Sequence, residues 1–246
     1  MNIEGKNTLV LSVSRSGHHA VMNWIISQMK GSVTFYNNCM RGWEQKELLP
    51  VKNTNVFKYK NTEHDTHSNI YSIEEFDLDF WEKFGFEVFN NVIIINRSIS
   101  NWVASRIKGS NDKSIDLFEE YTNISGHDSC SQIDQWSKLM KESLGVTDVI
   151  TKPKMHICFD WWHQHEHWRK RYAEQLELEF NDNTKDTVSR FGGGSSFQKS
   201  QKSSASKLNV TERYIEMEND SVYKRHMNDS RMQEQMKLYI KYRAEG

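Results

Sequence analysis

The sequence lacks the features that mark several common classes of protein. It has only three cysteines, Cys39, Cys130 and Cys158, and their odd number and wide spacing exclude a disulfide framework or a zinc-type cysteine pattern. No run of eighteen apolar residues occurs, so we expect no membrane span. No basic and apolar leader precedes the first predicted strand, so we expect a cytoplasmic protein.

A large net charge of either sign is also missing. The formal net charge is −1 and the sequence pI is about 6.8, which does not favour a nucleic-acid partner or a membrane-surface role. The charge is uneven, because residues 61–90 hold eight acids and one Lys, whereas residues 191–210 hold three Lys and no acid. We interpret the acidic run as solvated surface.

Apolar runs that alternate with helical patterns predict one α/β domain over residues 1–246, with a central parallel sheet flanked by helices. Only two prolines occur, so the breaks between elements depend on Gly, Asn, Asp and Ser. The predicted strands are Thr8–Val13, Ser32–Tyr36, Asn55–Lys60, Val92–Asn96 and Lys154–Phe159. The predicted helices are His18–Lys30, Ile99–Lys108, Ile115–Ile124, Ser131–Leu144, Trp161–Leu178, Thr211–Glu218 and Ser230–Arg243.

The turn after the first strand has the composition of an anion-binding turn. It reads Ser14-Arg-Ser-Gly-His-His19 and leads into a helix, whose first N–H groups have no partner within the helix and can point at an anion. Gly17 permits close backbone approach, Ser16 adds a hydroxyl and Arg15 adds a planar cation. The GxxxxGK[ST] loop of nucleotide triphosphatases is absent. The turn alone is equally typical of an ordinary capped helix.

A second strand ends in a similar turn more than eighty residues later. Arg97 follows the strand, Ser98 is a predicted N-cap, and Ser105 lies eight residues after Arg97, about two helical turns into the helix. An Arg at a surface and a Ser in a helix are common separately. Both turns together predict a ligand with two separated anionic groups.

These two turns resemble those of sulfotransferases that use 3′-phosphoadenosine 5′-phosphosulfate (PAPS). In that family, the first strand–loop–helix unit binds the 5′-phosphosulfate, and a later Arg with a Ser eight residues on holds the 3′-phosphate. The resemblance implies a P-loop-like sulfotransferase fold, and Trp136 and Asp160-Trp-Trp162 lie where the family has similar residues. The cofactor contacts that it implies are Arg15, Ser16, Gly17, His18, His19, Arg97 and Ser105.

A glycine- and serine-rich segment is the third part of the resemblance. Phe191-Gly-Gly-Gly-Ser-Ser-Phe197 is similar to the C-terminal cofactor loop of prokaryotic, viral or carbohydrate-directed members. It implies further cofactor contacts from Gly193, Gly194, Ser195 and Ser196. A flexible linker is the alternative interpretation.

The chain also departs from the family pattern. Arg15 stands where animal cytosolic members have Lys, and His18 and His19 stand where they have Thr. Arg15 would stabilise the leaving 5′-phosphate. By analogy with the family, the catalytic base would be His64, whose intrinsic pKa suits a base near neutrality, or Glu63; a surface His in an acidic loop is the alternative.

The implied activity is in-line transfer of a sulfonate group from PAPS to a hydroxyl or amine of a carbohydrate or small metabolite. The product would be adenosine 3′,5′-bisphosphate, and no metal is required. A kinase-like nucleotide enzyme and a non-catalytic nucleotide- or glycan-binding module remain alternatives. The predicted acceptor loops are 37–54, 61–85 and 109–130. We interpret His163 and His167, four residues apart, as part of a polar helix face and not as a metal pair.

Overall fold

A computed structural model shows alternating strands and helices and describes residues 1–39, 55–74, 76–79, 86–110, 115–122, 129–188 and 209–245. The strands are β1 (Asn7–Ser12), β2 (Ser32–Asn37), β3 (Asn55–Lys60), β4 (His67–Glu74), β5 (Asn91–Asn96), β6 (Tyr121–Thr122), β7 (Ser129–Cys130) and β8 (Lys154–Cys158). The helices are α1 (His18–Gln28), α2 (Ile99–Gly109), α3 (Gln132–Ser143), α4 (Phe159–Gln164), α5 (Glu166–Gln175), α6 (Arg213–Glu216), α7 (Ser221–Asn228) and α8 (Ser230–Glu245), with a 3-10 turn at Phe86–Val88.

Six strands form the central sheet in the order β3-β2-β4-β1-β5-β8. All neighbours are parallel except β3, which pairs antiparallel with β2 at the edge. Successive residues of β5 enter two different cores: Val92 and Ile94 pack with α2 and α3, and Ile93 and Ile95 pack with α1 and α5. Burial on both faces explains the unbroken apolar run of β5. The predicted α/β class, a mostly parallel sheet flanked by helices, is confirmed.

One central strand was not predicted from the sequence. The strand β4 lies between β2 and β1, inside the stretch 61–85 that we predicted to be an acceptor loop. It has a polar composition because Ser68 and Ser72, both fully buried, occupy positions that apolar residues usually fill. The run of acids therefore includes a buried strand and is not solvated throughout.

Two predicted helices differ in the structure. The helix predicted at Ile115–Ile124 is wrong, because Tyr121–Thr122 is a strand that pairs with Ser129–Cys130. The helix predicted at Trp161–Leu178 is broken at His165, whose extended backbone separates α4 from α5, so His163 and His167 lie on different helices. Among the described residues, none of the helices has both the length and the apolar character needed to cross a membrane.

The strand order places the two predicted anion turns side by side. From β1 the chain crosses towards one edge of the sheet to reach β2. From β5 it crosses towards the opposite edge to reach β8. Ligands of open parallel sheets bind at the carboxyl ends of strands where the direction of crossover reverses. Since Ser12 of β1 pairs with Ile95 of β5, both turns leave the sheet at such a point.

A buried carboxylate fixes the approach of the chain to β8. Glu142 of α3 is fully buried and accepts hydrogen bonds from the N–H groups of Val149 (3.1 Å) and Ile150 (3.0 Å) and from the Thr147 hydroxyl (2.7 Å). It also pairs with Lys154, the first residue of β8. These bonds hold the last parallel strand, and hence α4 behind it, in register with β5.

We predict that Glu142→Gln removes part of the acid sensitivity of folding. Burial alone would raise the pKa of Glu142, but the hydrogen bonds from Lys154, Thr147 and the two N–H groups lower it below its ordinary value. A lowered folded pKa stabilises the protein above the unfolded value, about 4.3 for Glu, and this stabilisation is lost as the pH falls through the folded value. Urea unfolding from pH 7 to pH 3 should therefore show a steeper loss in the unchanged protein than in Glu142→Gln. The exposed Glu174→Gln is the control, and identical pH profiles for all three proteins would contradict the prediction.

Candidate functional site

The loop after β1 is tightly curled at the start of α1. Arg15 and Gly17 both have left-handed backbone angles, with φ of 70° and 88°, and the Ser16 N–H donates to the Val13 carbonyl (3.1 Å). Alternation of this kind turns successive N–H groups inward and forms an anion-binding concavity. The Ser16 hydroxyl is fully buried, and none of the described residues forms a hydrogen bond with it. The predicted first turn therefore combines left-handed backbone angles with a buried hydroxyl.

The second turn is hydrogen-bonded directly to the first. The buried Arg97 guanidinium donates through Nη1 to the Arg15 carbonyl (3.1 Å) and to Ser105 Oγ (2.9 Å). Its Nη2 donates to the carbonyl of Val210. The structure thus brings together Arg97 and Ser105, which the sequence paired by spacing, and places both against the Arg15 loop.

A third arginine joins this group, and sequence reasoning missed it. Arg213 of α6 donates through Nη1 to Ser105 Oγ at 2.7 Å, so one hydroxyl accepts from two buried guanidinium groups. Burial, followed by the positive charges of Arg97 and Arg15, lowers the pKa of Arg213 to about 9. Burial likewise lowers the pKa of Arg97 to about 10. No local motif marked Arg213; only the helix predicted at Thr211–Glu218 contains it.

The start of α2 is held by Asp160. Its carboxylate accepts from the Ser98 N–H (2.6 Å), the Ser98 hydroxyl (3.0 Å) and the Asn101 amide (3.2 Å). Ser98 occupies the predicted N-cap position, but its hydroxyl donates to Asp160 and does not cap the helix. This explains why an acid at the start of α4 accompanies the Arg97 turn.

Aromatic side chains complete the frame around the two turns. Trp136 donates from Nε1 to the Arg97 carbonyl (3.1 Å), and Trp102 donates to the Ser14 carbonyl (2.9 Å). The Phe159 ring centre lies 5.1 Å from the Arg97 guanidinium carbon, within range of a cation–π contact. The backbone of each turn is therefore fixed from the apolar side.

On the other side of the first loop, the end of β4 places a carboxylate beside two histidines. Glu74 Oε2 accepts from the Ser14 hydroxyl (2.9 Å), and Glu74 Oε1 lies 3.0 Å from His18 Nδ1. His19 Nε2 lies 2.9 Å from Asn37 Oδ1. The sequence predicted His18 and His19 at this site but missed Glu74, because β4 was not recognised.

The charge states of this group follow from its surroundings. Burial alone would raise the pKa of Glu74, but His18, His19 and the Ser14 hydroxyl lower it to about 2. Burial, and next the charge of His18, lowers the pKa of His19 to about 4. At neutral pH, Glu74 is therefore a carboxylate and His19 a neutral imidazole.

The predicted base candidates are not brought into this group. Because β3 is antiparallel, its end at Lys60 lies beside Ser32 at the amino edge of β2, opposite the edge that carries the turns. Glu63 is exposed and pairs with Lys60 (2.9 Å), and His64 is exposed next to it. The loop prediction for Gly193, Gly194, Ser195 and Ser196 lies outside the described residues.

Comparisons with family models, curated proteins and solved structures found no match for this chain. Because a fold alone does not imply a function, the two turns and the group around Glu74 are the features of the chain that bear on its function.

We predict that Gly17→Ala destabilises the loop more than an ordinary glycine substitution. A Cβ on Gly17 would meet the Phe159 ring at 2.4 Å in addition to the strain of a φ of 88°. Gly145→Ala is the matched control, because Gly145 has a φ of 66° and an added Cβ there would meet no described atom within 4 Å. Both substitutions should lower the free energy of unfolding by about 1 kcal/mol, because Ala is strained at a left-handed φ. The clash with Phe159 should lower it by about 1 kcal/mol more in Gly17→Ala. Equal losses in the free energy of unfolding would contradict this prediction.

Proposed function

We propose that this chain is a PAPS-dependent sulfotransferase with a P-loop-like sulfotransferase fold. It would move a sulfonate group to a hydroxyl or amine of a carbohydrate or small metabolite. The observation that supports this proposal is the meeting of two donor-rich, positively charged turns at the crossover point of the sheet. PAPS carries two separated anionic groups, one for each turn.

The 3′-phosphate fits the group formed by Arg97, Ser105 and Arg213. Two buried guanidinium groups beside one hydroxyl repel each other, and a dianion between them would accept their N–H donors and remove that repulsion. Arg97 Nε is buried and has no partner in the part of the chain that the structure describes, as expected for a donor that serves a ligand.

The phosphosulfate fits the loop between β1 and α1. The N–H groups at the helix start, the Ser16 hydroxyl and the exposed Arg15 guanidinium offer donors to the sulfonate and the 5′-phosphate. In the reaction, the acceptor oxygen or nitrogen bonds to sulfur while the bond between sulfur and the 5′-phosphate oxygen breaks. The electron pair stays on that oxygen, and the loop stabilises the charge that develops there. Adenosine 3′,5′-bisphosphate is then released.

The acceptor proton needs a base beside the loop. Glu74 and His18 form a hydrogen-bonded pair at the carboxyl edge, whereas Glu63 and His64 lie at the opposite edge. In such a pair, the carboxylate orients the imidazole and stabilises its protonated form. We therefore assign the role of the base that accepts this proton to the His18–Glu74 pair in place of His64.

The nucleotide site is tested by calorimetry with adenosine 3′,5′-bisphosphate, 5′-AMP and ATP with magnesium. The unchanged protein should bind the bisphosphate more tightly than 5′-AMP. Arg213→Ala should weaken bisphosphate binding by roughly 10- to 100-fold, because a hydrogen bond to a charged group contributes about 1.5–3 kcal/mol. It should leave 5′-AMP binding unchanged.

Arg231→Ala, which changes an exposed arginine paired with Asp229, is the control and should bind like the unchanged protein. Thermal unfolding of each variant shows whether the fold is retained. Equal affinity for the bisphosphate and 5′-AMP would refute the two-anion site, and tight binding of ATP with magnesium alone would favour the kinase-like alternative.

The proton assignment predicts that Glu74→Gln lowers the turnover of sulfonate transfer while bisphosphate binding persists. Loss of general base catalysis typically costs about 10²- to 10⁴-fold in rate. Glu63→Gln at the opposite edge should keep full turnover. Normal turnover in Glu74→Gln, or loss of turnover in Glu63→Gln, would contradict this assignment and favour Glu63 or His64 as the base.

A further inference from the structure

The group around Glu74 has the composition and spacing of a metal site. His18, His19 and Glu74 each offer one ligand atom, a ring nitrogen or a carboxylate oxygen, and these three atoms lie within 4.8 Å of one another. His18 Nδ1 and Glu74 Oε1 are 3.0 Å apart. Two imidazoles and one carboxylate form a ligand set that zinc uses in sites that keep one position open.

Hydrogen bonds from neighbouring side chains also orient Glu74 and His19. The Ser14 hydroxyl donates to Glu74 Oε2, and Asn37 Oδ1 contacts His19 Nε2. Ser72 donates to the same Asn37 oxygen at 3.2 Å. Because an amide oxygen only accepts, His19 Nε2 is the protonated nitrogen and Nδ1 keeps its lone pair. Outer hydrogen bonds of this kind hold metal ligands in place.

His18 is free to exchange its one hydrogen bond for a metal. The side chain is 2% exposed, and its Nε2 has no hydrogen-bond partner among the described residues. Within the described part of the chain, the ring is bonded through Nδ1 to Glu74. An ion placed between Nδ1 and Oε1 would therefore replace that contact and break no other hydrogen bond of the ring.

We propose that His18, His19 and Glu74 bind one divalent cation of the zinc class, with a fourth coordination position open. The full charge of Glu74 balances the partial positive charge of the α1 N-terminus, which would otherwise oppose a cation. Magnesium and calcium are disfavoured, because they take oxygen ligands. The site does not depend on the proposed transfer activity. A bound ion would occupy the His18–Glu74 pair, so one molecule cannot use that pair as metal ligands and as base at once.

The test uses the untagged 246-residue chain, treated with a chelator that is then removed. Titration with Co²⁺ should produce the visible absorption of four- or five-coordinate cobalt at one ion per chain, and Zn²⁺ should abolish it. Zn²⁺ calorimetry should give the same stoichiometry, with no comparable binding of Mg²⁺. Glu74→Gln and His19→Ala should each weaken Zn²⁺ binding at least about tenfold, and Asn37→Ala by roughly 10- to 100-fold, the range seen for outer partners of metal ligands.

Controls and the nucleotide titrations separate this proposal from the previous one. Glu63→Gln and His64→Ala change the same residue types at the opposite edge and should bind Zn²⁺ like the unchanged protein. Arg213→Ala should bind the bisphosphate more weakly but keep full Zn²⁺ affinity. Thermal unfolding without metal shows that each variant is folded. Absence of cobalt absorption in the unchanged protein, or full Zn²⁺ affinity in a folded Glu74→Gln variant, would overturn the proposal.

Discussion

The hydrogen bonds of one buried guanidinium hold the candidate site together. Arg97 at the end of β5 donates to the Arg15 carbonyl after β1, to Ser105 in α2 and to the Val210 carbonyl before α6. Segments that are 82 and 113 residues away in the chain therefore meet at a single side chain. Loss of those donors would remove the hydrogen bond to the buried Val210 carbonyl, at a cost of about 1–3 kcal/mol, and the contact with the Arg15 carbonyl, so the geometry of both turns depends on this residue.

That arrangement does not favour stability by itself. Burial lowers the pKa of Arg97 to about 10, which shows that its surroundings disfavour the positive charge, and Arg213 beside it adds repulsion. The negative charge of the Asp160 carboxylate opposes this only in part. A dianionic ligand would attract both arginines and so offset the repulsion between them. Buried like charges that destabilise the folded protein are typical of a binding site.

The predictability of the fold depended on how each strand is buried. The strands β1 and β5 are apolar on both faces, so their turns, and with them Arg15 and Arg97, were found from the sequence. In β4, buried serines replace apolar residues and conceal the strand, so Glu74 was missed. The strand β3 was found with its observed bounds, but the sequence does not reveal that it is antiparallel. For this reason the base was predicted at His64, on the edge away from the loop.

The two sides of the first loop differ in charge, and this difference limits the ligands that can span them. Arg97, Arg213 and Arg15 make one side positive, whereas Glu74 keeps a carboxylate on the other side at neutral pH. A ligand that lies across the loop should be anionic towards the arginines and should offer a proton or a positive charge towards Glu74. A sulfonate donor on one side with a hydroxyl or amine acceptor on the other meets this requirement, and a zinc-class cation meets it on the Glu74 side alone. A single polyanion across both sides does not, because Glu74 would repel its far end.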